Sequence, residues 1–132
     1  MNGADWVPAD LLSEGTLFAF GIHAVLHQRQ PPRILLMDDI DRGLHPKAQR
    51  ALIQQLQKIS TSGDPQIVLS THSPYVLDEL PAESVRVVRS DRSGGTHVRA
   101  LVLHPEWQEW ESSMTSGEFW TYVGEDWLEQ GE

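Results

Sequence analysis

The sequence contains no cysteine, which excludes a disulfide framework and any metal site built on thiolates. It also has no apolar run near the roughly 20 residues that a membrane-spanning helix needs. Its first residues lack the charged-then-apolar pattern of a signal peptide. We therefore expect a cytoplasmic protein that does not enter a membrane.

Basic side chains are scarce. Ten lysines and arginines stand against 19 aspartates and glutamates, so the formal charge is −9 over 132 residues. Nucleic-acid surfaces need clustered lysine and arginine, because these side chains neutralise phosphates. We expect this chain to meet nucleic acid only indirectly.

Two apolar segments each run into a polar turn. Residues 34–37 form an unbroken apolar stretch, typical of a parallel strand covered on both faces, and Asp38 and Asp39 follow it directly. Residues 66–71 form the second segment, which leads to His72 in Ser-Thr-His-Ser-Pro. Open α/β sheets bind ligands at the carboxyl ends of their strands. Taken alone, the first segment also fits a core strand followed by an acidic turn.

The wider pattern alternates strands with helices. It predicts helices at 14–29, 46–60 and 74–79, strands at 33–38, 66–71, 84–89 and 96–103, and turns at 63–65 and 91–95. Strand–helix–strand order implies right-handed crossovers and a parallel sheet, and the final hairpin strand runs antiparallel at an edge. In helix 46–60 the side chains of Lys47, Gln49, Gln54 and Gln57 are predicted to face water.

Three segments, in this order, resemble the second half of an ABC-type ATPase head. They are Leu-Ser-Glu-Gly-Thr at 12–16, Asp-Asp-Ile-Asp-Arg-Gly-Leu-His-Pro at 38–46, and Ser-Thr-His-Ser-Pro at 70–74. The resemblance is to the non-transporter group that includes the SMC, RecF-like and OLD-like ATPases, and it covers about residues 7–103. It implies an α/β fold: a fragment of the three-layer sandwich of P-loop NTPases.

The resemblance implies roles for the strand-end residues. Asp38 matches the aspartate that holds Mg²⁺, usually through water, and His72 matches the switch histidine that contacts the γ-phosphate of ATP. Asp39 stands where the family normally has a glutamate that orients the attacking water. Because its side chain is one methylene shorter, and a displacement of about 1 Å can cost on the order of 10²-fold, slow hydrolysis is expected.

The other two segments resemble parts that act between heads. Ser13, Glu14 and Gly15 resemble the signature motif, in which a serine and the first amides of a helix cap the γ-phosphate held by a second head. Glu14 replaces a glycine there and brings negative charge close to that phosphate. His45, in Gly-Leu-His-Pro, resembles the D-loop position, and the structural alternative is a turn residue before Pro46.

The family's phosphate-binding loop, Gly-x-x-x-x-Gly-Lys-Ser/Thr, has no counterpart here. Lys47 and Lys58 are the only lysines, and neither follows a glycine. The resemblance therefore implies a C-terminal half, whose other half lies upstream or on a partner chain. Alone, it is expected neither to bind ATP usefully nor to hydrolyse it.

The remaining segment, 104–132, is rich in aromatic and acidic residues. We predict that 1–103 is the half-head and that 104–132 is a helical tail that packs on it or extends it. The tail carries four of the five tryptophans: Trp107, Trp110, Trp120 and Trp127. These rings either cover the sheet, while the acids face water, or form a docking surface for an effector subunit.

Three hypotheses for the function remain. The first is an ATPase that uses ATP and Mg²⁺, with a second head in a homodimer or with a chain that supplies the missing half. The second is a non-catalytic remnant or regulatory subunit of a split ATPase, which binds partners through its tail. The third is a metal-dependent nuclease built on Asp38, Asp39, Asp41 and His72.

Overall fold

The computed structural model describes residues 7–30, 32–61 and 65–130. The predicted turn at 63–65 falls mostly outside these ranges. The chain forms two compact units, Met1–His72 and Ser73–Glu132. The predicted division at residue 103 stays a prediction.

The first unit contains the predicted parallel strand pair. A short 3₁₀ turn precedes helix α1 (Glu14–Leu26), which is followed by strand β1 (Ile34–Met37), helix α2 (Pro46–Ser60) and strand β2 (Gln66–Leu69). The two strands pair in parallel, with Ile34 beside Gln66 and Met37 beside Leu69. Since α2 connects two parallel strands, the predicted helical crossover is confirmed.

Helix α2 has the bounds that the sequence predicts. Pro46 occupies the first turn, where its missing N–H is harmless, and Ile53 and Leu56 are buried. The prediction that Gln49 faces water is wrong, because only 7% of this residue is exposed. Its Nε2 donates to the carbonyl oxygens of Asp41 and Leu44, so the amide is buried with partners.

Several apolar side chains of the first unit are exposed. Helix α1 ends at Leu26 rather than 29, and Ile22 is its buried apolar residue, whereas Phe20 is 74% exposed. In β1, Leu36 is 73% exposed while Met37 is buried. The expectation of a strand covered on both faces is therefore wrong within the described residues, where the side of Leu36 stays open to solvent.

The second unit is built around an antiparallel hairpin. Helix α3 (Pro74–Leu77) leads through a 3₁₀ turn to strands β3 (Arg86–Ser90) and β4 (Thr96–Ala100), and helices α4 (Trp107–Trp110) and α5 (Ser116–Val123) follow. The hairpin is confirmed, but the described residues form two separate two-stranded sheets rather than one. The tight turn at 91–95 explains this local pairing, because it brings β4 directly beside β3.

The aromatic tail contributes to the core of this unit. Its rings pack with residues of α3 and the hairpin in one cluster: Leu77, Val85, Val87, Leu101, Trp107, Phe119, Trp127 and Leu128. Most tail acids are exposed. Trp107, Phe119 and Trp127 therefore serve as core residues. A docking role for the more exposed aromatic rings of the tail stays a prediction. Among the described residues, none of the helices has both the length and the apolar character that crossing a bilayer requires.

Candidate functional site

The turn after β1 carries the predicted carboxylate pair at the protein surface. Asp38 and Asp39 are exposed, while Ile40 between this pair and the next aspartate is 1% exposed and anchors the turn. Asp39 has φ +49°, in the left-handed region that aspartate and asparagine tolerate better than most residues. The turn thus presents both carboxylates to solvent, while the buried side chain of Ile40 anchors its backbone.

Ser70 holds the carboxylate pair from the neighbouring strand. Its Oγ donates to Asp38 Oδ1 and accepts the backbone N–H of Asp39 at 2.9 Å. Its backbone N–H donates to Met37 at 2.9 Å, and its carbonyl accepts from Ile40 at 3.1 Å. Sequence reasoning missed Ser70, although its position one residue beyond the strand was the available signal.

Asp41 joins the carboxylate turn to the histidine turn. Its Oδ1 accepts the hydroxyl of Thr71 at 2.5 Å and the backbone N–H of His72 at 3.3 Å. The ends of both strands are therefore tied by side-chain hydrogen bonds. The turns that carry Asp38, Asp39 and His72 therefore follow neighbouring parallel strands and are joined by hydrogen bonds. That these three side chains form one site stays a prediction.

The signature-like turn lies on the loop that follows the carboxylates. Ser13 caps α1, since its Oγ accepts the N–H of Thr16 at 3.2 Å. Gly15 is buried, and a Cβ at that position would lie 2.4 Å from the carbonyl oxygen of Gly43. Glu14 faces Arg42 at 3.9 Å between two exposed side chains, a pair that contributes little.

His45 is exposed at the N-terminus of α2. Its Nδ1 accepts the backbone N–H of Lys47 at 3.3 Å, so the ring caps its own helix. This is the turn role that the sequence left as the alternative. A contact of His45 with nucleotide stays a prediction.

The donor set suits Mg²⁺ bound together with a phosphate. Mg²⁺ is usually held by one or two carboxylates, several waters and substrate phosphates rather than by an all-protein cage. Asp38 and Asp39 offer such carboxylates, and in the part of the chain that the structure describes no three His, Asp or Glu side chains are grouped to share a metal. The sequence contains no Gly-x-x-x-x-Gly-Lys-Ser/Thr loop.

The fold has a counterpart among solved structures. A chain from the solved structure titled "Structural biochemistry of ATP-driven dimerization and DNA stimulated activation of SMC ATPases" superposes with a TM-score of 0.59 at 18% identity, covering 83% of this chain and 66% of that one. Parallel strands with a helical crossover and an antiparallel hairpin are here part of a P-loop NTPase fold.

The family is narrower than the fold. A family model described as "AAA domain, putative AbiEii toxin, Type IV TA system" matches residues 1–78, and the chain belongs to this family of ABC/AAA-type ATPase domains.

Two relatives match part of the chain at higher identity than the solved structure does. The "Retron Vc95 probable ATPase" of Vibrio cholerae serotype O1 biovar El Tor is 42% identical over 55 residues, which are 42% of this chain and 10% of that protein. The "OLD nuclease" of Thermus scotoductus (strain ATCC 700910 / SA-01) is 36% identical over 58 residues, which are 44% of this chain and 11% of that protein. The match therefore spans about a tenth of each relative's length.

Proposed function

We propose that this chain supplies the hydrolytic half of an ABC-type ATPase site. One observation carries the proposal: Ser70 and Asp41 bind the carboxylate turn to the His72 turn, so three side chains of complementary chemistry share one edge of a parallel strand pair. In this proposal Asp38 holds Mg²⁺, Asp39 orients the attacking water, and His72 contacts the γ-phosphate.

The Mg²⁺ ion, when bound, would neutralise charge on the phosphate oxygens. The chain's own residues would hold and orient the reactants. Ser70 donates a hydrogen bond to one oxygen of Asp38 and accepts the backbone N–H of Asp39. The carboxylate pair is therefore preorganised before a ligand binds. The short side chain of Asp39 limits its reach, and we expect slow turnover.

The proposal needs a partner. The phosphate loop comes from the missing half of the head or from another chain. A second head would meet the turn formed by Ser13, Glu14 and Gly15, and His45 follows the Gly43–Leu44 segment that Gly15 contacts. That turn has a capped helix N-terminus, which favours an anion, and Gly15 packs closely on Gly43. We place this assembly in the cytoplasm, and a docking role of the tail would connect it to an effector.

Equilibrium dialysis with labelled ATP and Mg²⁺ tests the proposal. The chain alone should retain no ATP at micromolar concentrations, whereas its mixture with a polypeptide bearing the family's phosphate loop should bind more ATP than that polypeptide does alone. An Asp38→Asn variant should remove the Mg²⁺-dependent part of the gain. If the chain adds nothing to binding by any loop-bearing partner, the proposal is wrong.

The same dialysis experiment distinguishes this proposal from the second hypothesis, a non-catalytic or regulatory subunit, which predicts no gain in ATP binding. The missing phosphate loop favours it, and so does the exposed Tyr122, whose ring lies 6.0 Å from that of Trp110 on the outside of the tail. The nuclease hypothesis is weaker, because Asp41 already accepts two hydrogen bonds from the His72 turn.

A further inference from the structure

Asp41 has no role in the proposed chemistry, yet it has more tertiary hydrogen bonds than either member of the carboxylate pair. Its Oδ1 accepts the Thr71 hydroxyl and the His72 amide. Its backbone carbonyl accepts the Leu44 N–H at 3.1 Å and the Gln49 Nε2 at 3.2 Å. One residue therefore connects the carboxylate turn, the histidine turn and the start of α2.

Gln49 makes this connection rigid. It lies within α2, is buried, and donates a second hydrogen bond to the Leu44 carbonyl at 2.9 Å. A buried amide with both donors in use cannot move without leaving polar groups unsatisfied. The loop between Asp41 and Leu44 is thus fixed to a fifteen-residue helix.

The histidine turn needs such an anchor. The β1–β2 ladder ends at Leu69, and Ser70 makes the last backbone bonds to the first strand. His72 lies two residues beyond that point and is exposed. A turn that continues past a strand keeps its conformational freedom unless side chains restrain it.

We propose that Asp41 is a positioning residue, whose carboxylate sets the place of His72 relative to the carboxylate pair. The catalytic consequence rests on the function proposed above, whereas the positioning itself does not. Because a displacement of about 1 Å in a reacting group can cost on the order of 10²-fold, loss of this contact should lower the rate more than it lowers nucleotide affinity.

The first test measures positioning in the chain as it stands, by amide hydrogen exchange at His72. Losing one hydrogen bond to a charged acceptor should accelerate exchange about tenfold in Asp41→Ala. Asp41→Asn keeps a neutral acceptor, so the exchange rate at His72 in this variant should lie between those of wild type and Asp41→Ala. This milder variant also decides the matter if the alanine variant does not fold.

Asp91→Ala is the matched control. Asp91 also accepts a backbone N–H and a serine hydroxyl in a turn, with Ser93 as its partner in both bonds. Its loss should accelerate exchange at Ser93 and leave His72 unchanged. Equal exchange at His72 in wild type, Asp41→Asn and Asp41→Ala would overturn the proposal.

The second test asks whether Asp41 acts through His72, using the chain assembled with a loop-bearing partner. Asp41→Ala should lower kcat about 10-fold or more and leave KM for ATP within about twofold. In a His72→Ala background the same substitution should cause no further loss. Losses that multiply would show that Asp41 acts by another route.

The two tests fail differently. Absence of turnover in every assembly, including wild type, would contradict the proposed function, and the exchange rates at His72 would still decide the positioning. Normal turnover in wild type with unchanged kcat in Asp41→Ala would contradict the inference alone.

Discussion

At the scale of single residues, Gly15 shows how tightly the signature-like turn is fitted to the loop below it. An added Cβ would lie 2.4 Å from the Gly43 carbonyl oxygen and 2.8 Å from Leu44 Cδ2. The backbone oxygen cannot move without shifting the loop, so the added methyl group strains this contact.

We therefore expect Gly15→Ala to lower the free energy of unfolding by about 1–3 kcal/mol, measured by urea denaturation. Gly21→Ala is the control on the same helix, because nothing lies within 4 Å of its added Cβ. That variant should be stabilised by about 0.5–1 kcal/mol, since alanine favours the helix. Equal effects of the two substitutions would contradict the close fit.

Side chains identified from sequence and those identified from structure differ in kind. Asp38, Asp39 and His72 could be proposed as site residues because each belongs to a local motif at a strand end, and their roles stay predictions. Ser70 and Asp41 could not be assigned, since their roles come from hydrogen bonds across 30 or 31 positions. Such contacts depend on the register of β1 and β2, which a single sequence does not determine.

At the scale of elements, prediction succeeds where local signals and packing agree. Helix α2 matches its predicted bounds, since Pro46 marks its start and Ile53 and Leu56 repeat at helical spacing. Helix α1 ends at Leu26 and leaves Phe20 exposed to solvent. The prediction of an apolar face is incomplete, because an apolar sequence shows that burial would be favourable but does not show which element covers it. The parallel pairing of the strands followed from the crossover alone.

Helix α5 offers a test of local capping. The Thr115 Oγ1 accepts the N–H of Glu118 at 3.3 Å, and the Glu118 carboxylate accepts the N–H of Thr115 at 2.9 Å. Hydrogen bonds to the carboxylate from the backbone N–H of Thr115, and from its side chain, hold the pKa of Glu118 below its ordinary value. The two residues form a capping box that starts the helix.

Replacing the cap should destabilise this helix and the unit that contains it. Thr115→Ala is expected to cost about 1 kcal/mol in the free energy of unfolding, measured by chemical denaturation. Ser112→Ala, at an exposed position just before the helix, should change it by less than about 0.5 kcal/mol. A cap that contributes nothing would leave both variants indistinguishable from wild type.

At the scale of the whole chain, three groups make stability depend on pH in the same direction. Burial lowers the pKa of His104 below its ordinary 6.5, and the nearby charge of Glu106 only partly opposes this. Hydrogen bonds from Ser93, then His97 and Gly95, hold the pKa of Asp91 well below its ordinary range. The pKa of Glu118 is lowered as well.

The signs give two separate windows. The folded state favours neutral His104, so that contribution is complete above pH 6.5 and is lost as the pH falls through the ordinary pKa towards the lowered one. The lowered carboxyl pKa values of Asp91 and Glu118 stabilise the fold above about pH 4.5, and this contribution is lost on further acidification.

We expect the free energy of unfolding to decline as the pH falls below about 6.5 and then more steeply below about 4.5. In His104→Asn the upper decline should be smaller, because the asparagine cannot take up a proton but can still accept the Glu106 N–H that His104 Nδ1 accepts at 3.1 Å. Denaturation at a series of pH values measures both slopes. An unchanged upper slope in this variant would contradict the assignment to His104.

The whole chain is also small beside its relatives. Its matches cover 10% and 11% of the retron ATPase and the OLD nuclease, and the structural match covers 66% of the SMC chain. The family and fold could be recognised from three short motifs. These 132 residues contain no Gly-x-x-x-x-Gly-Lys-Ser/Thr loop, so the proposed ATP site is shared with a second polypeptide segment.

The most direct test of that claim is ATP turnover by the chain assembled with a loop-bearing partner, wild type against Asp39→Asn. Asparagine tolerates the left-handed backbone at this position, so the substitution changes the carboxylate and spares the turn. We predict slow hydrolysis by wild type, a loss of about 10²-fold or more in Asp39→Asn, and unchanged ATP binding by both. Hydrolysis that is equal in the two proteins would contradict the account.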